Sequence, residues 1–139
     1  MSRRDTLHFA LRRTLEKDGW TITNDPLILE LEQTILKADL GAEKLFTAEK
    51  EGRKIAIEVK DFDSSSAISE LEKTMGQLQL YQWALETQEP SRILFLAISE
   101  AVYVSQFQRL IFKFAIQRSR INLLIFEPDQ EVIIKWITH

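Results

Sequence analysis

The segment Ile57-Glu58-Val59-Lys60 sets a carboxylate and an ammonium two positions apart. In an extended strand alternate side chains share a face, so Glu58 and Lys60 project together while Ile55, Ile57 and Val59 point the other way. One reading is an ion pair on a solvated face. The other is a centre for metal-dependent phosphodiester hydrolysis. There Asp39 and Glu58 hold Mg²⁺ or Mn²⁺ through hard oxygens, and the Val59 carbonyl adds a ligand. Lys60 orients the attacking water and offsets developing negative charge. With 21 acidic residues and 9 lysines in 139, an acid-x-Lys triplet arises about once by chance, so its surroundings carry the argument. The triplet falls on the second arm of a hairpin whose first arm carries Asp39. A long helix follows, with Gln77 and Tyr81 one turn apart on one flank. Their polar tips suit substrate phosphate or a water network. The plain alternative makes Tyr81 half-buried packing and Gln77 incidental.

The rest of the composition narrows the chemistry. The chain has no cysteine and two histidines, His8 and His139. Thiolate zinc sites, cysteine nucleophiles, disulfides and histidine cages are therefore excluded, and any metal is held mainly by oxygen. A net charge of −3 argues against broad, charge-driven nucleic-acid binding but leaves room for a local basic groove. Arg3, Arg4, Arg12 and Arg13 near the first helix, and Arg118 and Arg120 near the last, are either phosphate contacts or solvated helix faces. No segment approaches the roughly 20 apolar residues that cross a bilayer. Asp5 and His8 interrupt any signal-peptide core, so a cytoplasmic protein without a membrane association is expected.

These residues need elements to position them. Hydrophobic spacing predicts a helix over 5–18 closed by Gly19, strands over 20–23 and 27–31, and a hairpin of 36–49 and 53–61 joined through Lys50-Glu51-Gly52. A helix follows from the Asp63-Ser64-Ser65-Ser66 cap to about Thr87, with Ile68, Leu71, Met75, Leu78 and Leu85 as its core stripe. The apolar run 92–99 reads as a strand buried on both faces. A helix over 104–118 and strands over 121–126 and 131–137 complete the chain. Helices between strands argue one α/β domain over 1–139, with a central mixed β-sheet flanked by helices in three layers. His8 reads as a packing residue. Trp20, Trp83 and Trp136 read as core or interface residues. The helix over 104–118 is apolar nearly all round, so part of it is expected to meet a partner or a second copy.

Two resemblances sharpen this reading. Asp39…Glu58-Val59-Lys60 resembles the PD-(D/E)XK motif of restriction-endonuclease-like nucleases, with Ala38 where the motif has Pro, and Gln77-x-x-x-Tyr81 is similar to the QxxxY motif of RecB-type nucleases. More closely, Lys17-Asp18-Gly19-Trp20-Thr21-Ile22-Thr23, Asp39-Leu40-Gly41-Ala42-Glu43-Lys44-Leu45, Lys54-Ile55-Ala56-Ile57-Glu58-Val59-Lys60, Gly76-Gln77, Glu89-Pro90-Ser91-Arg92-Ile93-Leu94 and Glu131-Val132-Ile133-Ile134-Lys135-Trp136-Ile137 resemble the fdxN element excision controlling factor family, XisH, over essentially the whole chain. That resemblance implies a restriction-endonuclease-like fold and a role in programmed excision of a DNA element. It also implies partnership with a site-specific recombinase and with an XisI-type companion protein. Asp39, Glu58 and Lys60 match the nuclease motif, and Gln77 and Tyr81 the helix motif. Glu43, four beyond Asp39, is a third acid of the site or a partner for Lys60, and Glu16 is a weaker extra acid. Three activities follow as expectations: Mg²⁺-dependent DNA hydrolysis, a non-catalytic scaffold acting through a protein partner, or action on RNA.

Overall fold

The computed structural model describes residues 3–31, 34–35, 45–63 and 66–139. Helix α1 (Arg3–Lys17) forms because Leu7, Leu11 and Leu15 recur every four residues, and all three are buried. It stops where Gly19 takes a positive φ of 97°, a conformation that costs side-chain-bearing residues energy. Strand β1 (Thr21–Asn24) follows, then a small ladder of β2 (Glu30–Leu31) with β3 (Thr34–Ile35). Only Glu30–Leu31 of the expected strand over 27–31 is paired. The alternation still reports burial, since Leu27 and Leu29 are buried and Ile28 is exposed.

Strands β4 (Phe46–Lys50) and β5 (Arg53–Val59) form the expected hairpin, with Lys50 paired to Arg53. Its turn is two residues, Glu51 and Gly52, both at positive φ (52° and 81°). That is the backbone twist a tight hairpin selects. The expected start of the first arm, residues 36–44, lies outside the described residues. Helix α2 (Ala67–Gln88), strand β6 (Ile93–Ser99), helices α3 (Glu100–Ser105) and α4 (Leu110–Arg118), and strands β7 (Leu123–Glu127) and β8 (Val132–Ile137) complete the order.

Six strands make one mixed sheet in the order β1-β4-β5-β6-β7-β8. The β5–β6 and β6–β7 pairs are parallel and the other neighbours antiparallel. Parallel neighbours need crossovers, and α2 and then α3–α4 supply them. Two apolar clusters show the layers. On one face α1, through Leu7, Leu11 and Leu15, meets Ile55, Ile57, Val59, Phe95 and Ala97. On the other, α2, α3 and α4 meet Ala56, Leu94, Leu96, Ile98, Leu123 and Ile125. This is a three-layer α/β arrangement. Phe62, just past β5, stands edge-on to Phe107 and Phe112 at 5.1 and 6.0 Å between ring centres, which ties the β5 exit to the last crossover.

The single helix expected over 104–118 is instead two helices, with a break over 106–109. The buried residues explain the break. Val102, Phe107, Phe112 and Ile116 all face the core. On one unbroken helix Phe107 and Phe112 would sit roughly 140° and 280° round from Val102. Interrupting the helix re-phases them onto one side. The Ser99 side chain starts α3 by accepting a hydrogen bond from Val102 N at 3.2 Å. Among the described residues no helix is long and apolar enough to cross a membrane.

Arg92 locks the α2–β6 corner. Its guanidinium is buried, donates to the Ile55 carbonyl at 3.1 Å and to Glu89 Oε1 at 2.9 and 3.1 Å, and lies 3.7 Å from Glu49. Replacing it with Met keeps the aliphatic stem and strips these bonds. Arg92→Met is expected to cost about 2–3 kcal/mol in urea unfolding; a loss under about 0.5 kcal/mol would show that the clamp is idle.

Candidate functional site

Strand β5 sets the site because it has neighbours on both edges and helices over both faces. Glu58 registers with Leu96 and Val59 with Ala97. The Lys60 amide still donates to the Ala97 carbonyl at 3.1 Å, so the chain stays extended one residue past the strand. Glu58 is 0% exposed and Lys60 only 7%. The reading of a solvated ion pair therefore fails. Ala56, on the Glu58 side of β5, packs in the cluster beneath α2. The face that alternation marks as polar is roofed by a helix. A buried carboxylate and a nearly buried ammonium are costly unless well partnered, and each has an interaction partner here.

Helix α2 buries Ala67, Leu71, Thr74, Leu78, Tyr81 and Leu85, spaced alternately four and three apart, with Gln77 beside them. The expected stripe is corrected: Ile68 is exposed and Met75 only partly buried. Gln77 and Tyr81, expected on a flank, face inward at 8% and 0% exposure. The plain reading of Tyr81 as half-buried fails with it. Tyr81 shares a core cluster with Ala56 and Leu96. Glu58, Lys60, Gln77 and Tyr81 are thus gathered on the α2 side of the sheet. Asp39 and Glu43 lie outside the described residues. Glu16 is exposed near the end of α1, which covers the opposite face, so it is not brought to this site.

The donor set suits a hard cation. Glu58 offers a carboxylate, and no thiol exists to compete. In the same layer the Thr74 hydroxyl oxygen is buried without a hydrogen-bond partner among the described residues. Among the described residues no three His, Cys, Asp or Glu side chains converge, so a metal centre here needs a further ligand such as Asp39.

Next to Lys60 a cleft of about 400 Å³ opens, lined by Lys60, Asp61, Ser66, Ser69, Glu70 and Lys73. Sequence reasoning missed Ser69 and Lys73. The available signal was the 69–73 spacing at the start of α2, one helix face directed at the end of β5.

A model of the XisH protein family matches residues 1–134. The chain is 42% identical to an XisH family protein from Nostoc punctiforme PCC 73102 of known crystal structure, over 96% of this chain and 100% of that one, with a TM-score of 0.87. It is 40% identical to a crystallised fdxN element excision controlling factor protein from Anabaena variabilis, over 97% of this chain and 100% of that one, with a TM-score of 0.88. No curated protein matches the chain significantly.

Of the arginines considered for phosphate binding, Arg12, Arg13 and Arg118 are engaged in contacts within the protein. Arg12 Nη1 and His8 Nε2 each lie 2.8 Å from Asp25 Oδ2. Arg13 pairs with Glu131, which Lys17 also approaches at 3.8 Å. Arg118 lies over the Phe114 ring at 4.4 Å. The Arg13 hydrogen bond, helped by the charges of Arg13 and Lys17, holds the Glu131 carboxyl below its usual 4.5. A lowered carboxylate stabilises the fold above its unfolded pKa, and that contribution is lost as pH falls through the folded value. In a carboxyl NMR titration Glu131 is therefore expected to protonate below 4.5, and Arg13→Ala to move it back up. An unshifted Glu131 in the parent protein would remove the tether.

Proposed function

The chain belongs to the XisH family, and on that premise we propose that it is an fdxN element excision controlling factor whose restriction-endonuclease-like fold carries a Mg²⁺- or Mn²⁺-dependent phosphodiester-hydrolysing site. The observation that carries this reading is the burial of Glu58 and Lys60 on the α2 side of the central sheet, with Gln77 and Tyr81 facing inward from the helix above. A protein of this size gains nothing in stability from a buried acid and ammonium that packed apolar residues would not supply.

Asp39 and Glu58 would hold the cation. When bound, it supplies Lewis-acid polarisation of a phosphodiester and a more acidic water. The Glu58 backbone is fixed by strand pairing, which limits the reorganisation its side chain needs on ligand binding. Lys60, nearly excluded from water, donates to the attacking water and opposes the charge that develops on the phosphate oxygens; low local dielectric strengthens that effect. Gln77 and Tyr81 frame the pocket with an amide and a hydroxyl. The substrate is the DNA of an excised element, met together with a site-specific recombinase and an XisI-type companion.

A second reading, a non-catalytic scaffold acting through a protein partner, has its own support. Leu110 and Ile111 on α4 are 64% and 52% exposed, and Phe114 joins them one turn on. Such an apolar face suits a partner or a second copy.

The decisive measurement pairs cation binding with cleavage. Mn²⁺ is expected to bind the parent protein and raise its Tm, and Glu58→Gln to weaken binding at least tenfold. With supercoiled DNA, Mg²⁺ and the companion protein, Lys60→Met is expected to lower cleavage by about 10²-fold or more. Cleavage unchanged in Lys60→Met rejects the catalytic role. No Mn²⁺ binding together with tight companion binding favours the scaffold.

A further inference from the structure

Six residues line the cleft beside Lys60, and their charges are unequally committed. Asp61, Glu70, Lys60 and Ser66 each have an interaction partner, whereas Lys73 has no ion pair among the described residues. Formal charge in the lining is balanced, two lysines against two acids, and the Lys73 ammonium is the group left without an ion pair to meet an anionic ligand. Ser69 and Lys73, four residues apart, share one face of α2, and with Ser66 just before the helix they form a wall of the cleft. Its opposite landmark, Lys60, is more than nine-tenths buried and directly follows β5. The cleft therefore begins at the candidate catalytic layer and runs outward to an exposed ammonium flanked by the Ser69 hydroxyl.

We propose that Lys73, assisted by Ser69, is a backbone-phosphate subsite that holds the DNA phosphate adjacent to the one presented at Glu58 and Lys60. The proposal rests on the nuclease-type reading of that layer. A lysine suits the task because its ammonium is a point charge on a flexible stem and takes a phosphate oxygen from many directions. Ser69 supplies a hydroxyl donor. Contacts of this kind set the register of the strand and carry no sequence information. The cleft volume of about 400 Å³ falls within the range of small-ligand sites and leaves space for one phosphate with its sugar. The subsite also explains how a chain of net charge −3 engages DNA: a few local cations act, without a broad basic surface.

The test is fluorescence anisotropy of a labelled 30-base-pair DNA duplex. Ca²⁺ replaces Mg²⁺ so that turnover does not intervene, and NaCl is varied. Lys73→Ala is expected to weaken binding about 3–10-fold and to flatten the slope of log Kd against log salt by about one, the signature of one lost phosphate contact. Lys73→Arg is expected to restore both, and Ser69→Ala to give a smaller loss with the slope unchanged. Lys73 is exposed, so circular dichroism of Lys73→Ala should match the parent. Unchanged affinity and slope in Lys73→Ala overturns the subsite while leaving cleavage at Glu58 and Lys60 intact. A Lys73-dependent slope in a protein that never cleaves upholds the subsite and rejects the catalysis. A parent protein that binds no duplex in Ca²⁺ overturns the subsite outright.

Discussion

The parallel pairing of β5 with β6, under α1 on one face and α2 on the other, is the constraint from which the remaining features follow. Where interior strands are covered on both sides they bury side chains of any type, as β5 does from Ile55 to Val59 and β6 from Leu94 to Ser99. For Ile55, Ile57, Val59, Phe95 and Ala97 that burial is favourable, at roughly 1.5–3 kcal/mol for each large apolar side chain. For Glu58 and Lys60 the same geometry removes water that would otherwise solvate an acid and an ammonium. A layer with this property keeps charged groups only where other interactions hold them. It also makes each charge act more strongly on anything that enters.

The crossovers turn this constraint into a shape. A parallel β5–β6 step requires a long return, and the 22 residues of α2 provide it. Its first turns meet the exit of β5, so Lys60, Ser66 and the α2 face bearing Ser69 and Lys73 end up on one cleft. The next step, β6 to β7, is made by two short helices that pin Phe107 and Phe112 against Phe62. The end of β5 is therefore fixed from two directions. Arg92 anchors the other end of α2 to the Ile55 carbonyl.

Charge is distributed along the same lines. Arg12, Arg13 and Arg92 serve internal contacts with Asp25, Glu131 and Glu89. They bind α1 to its surroundings and close the α2–β6 corner. The cations available to an anionic ligand are fewer than composition suggests, and they are local. Net charge describes solubility and long-range steering. It does not describe a cleft that two lysines, two acids and two serines line together.

Much of the architecture was legible in the residues alone. Leu7, Leu11 and Leu15 announced α1, Gly52 the hairpin turn, and the run Ile93 to Ile98 the central strand. Each of these signals is local: a helical period, a positive φ, an unbroken apolar run. The pairing of Glu58 and Lys60 on one strand face was legible for the same reason. What period and propensity do not carry is what lies above a face. Alternation along β5 marks the Glu58 side as polar, and only the packing of α2 onto the sheet makes it interior. Likewise the spacing in α2 allows more than one buried stripe, and only its contact with Ala56, Leu94 and Leu96 selects the one that turns Thr74, Gln77 and Tyr81 inward. The break between α3 and α4 arises because Val102 and Phe112 must reach one core, a demand no single helical stretch expresses. Sequence determined the elements and the residue types able to do chemistry; tertiary structure decided their depth, because solvent exclusion depends on neighbours remote in the chain.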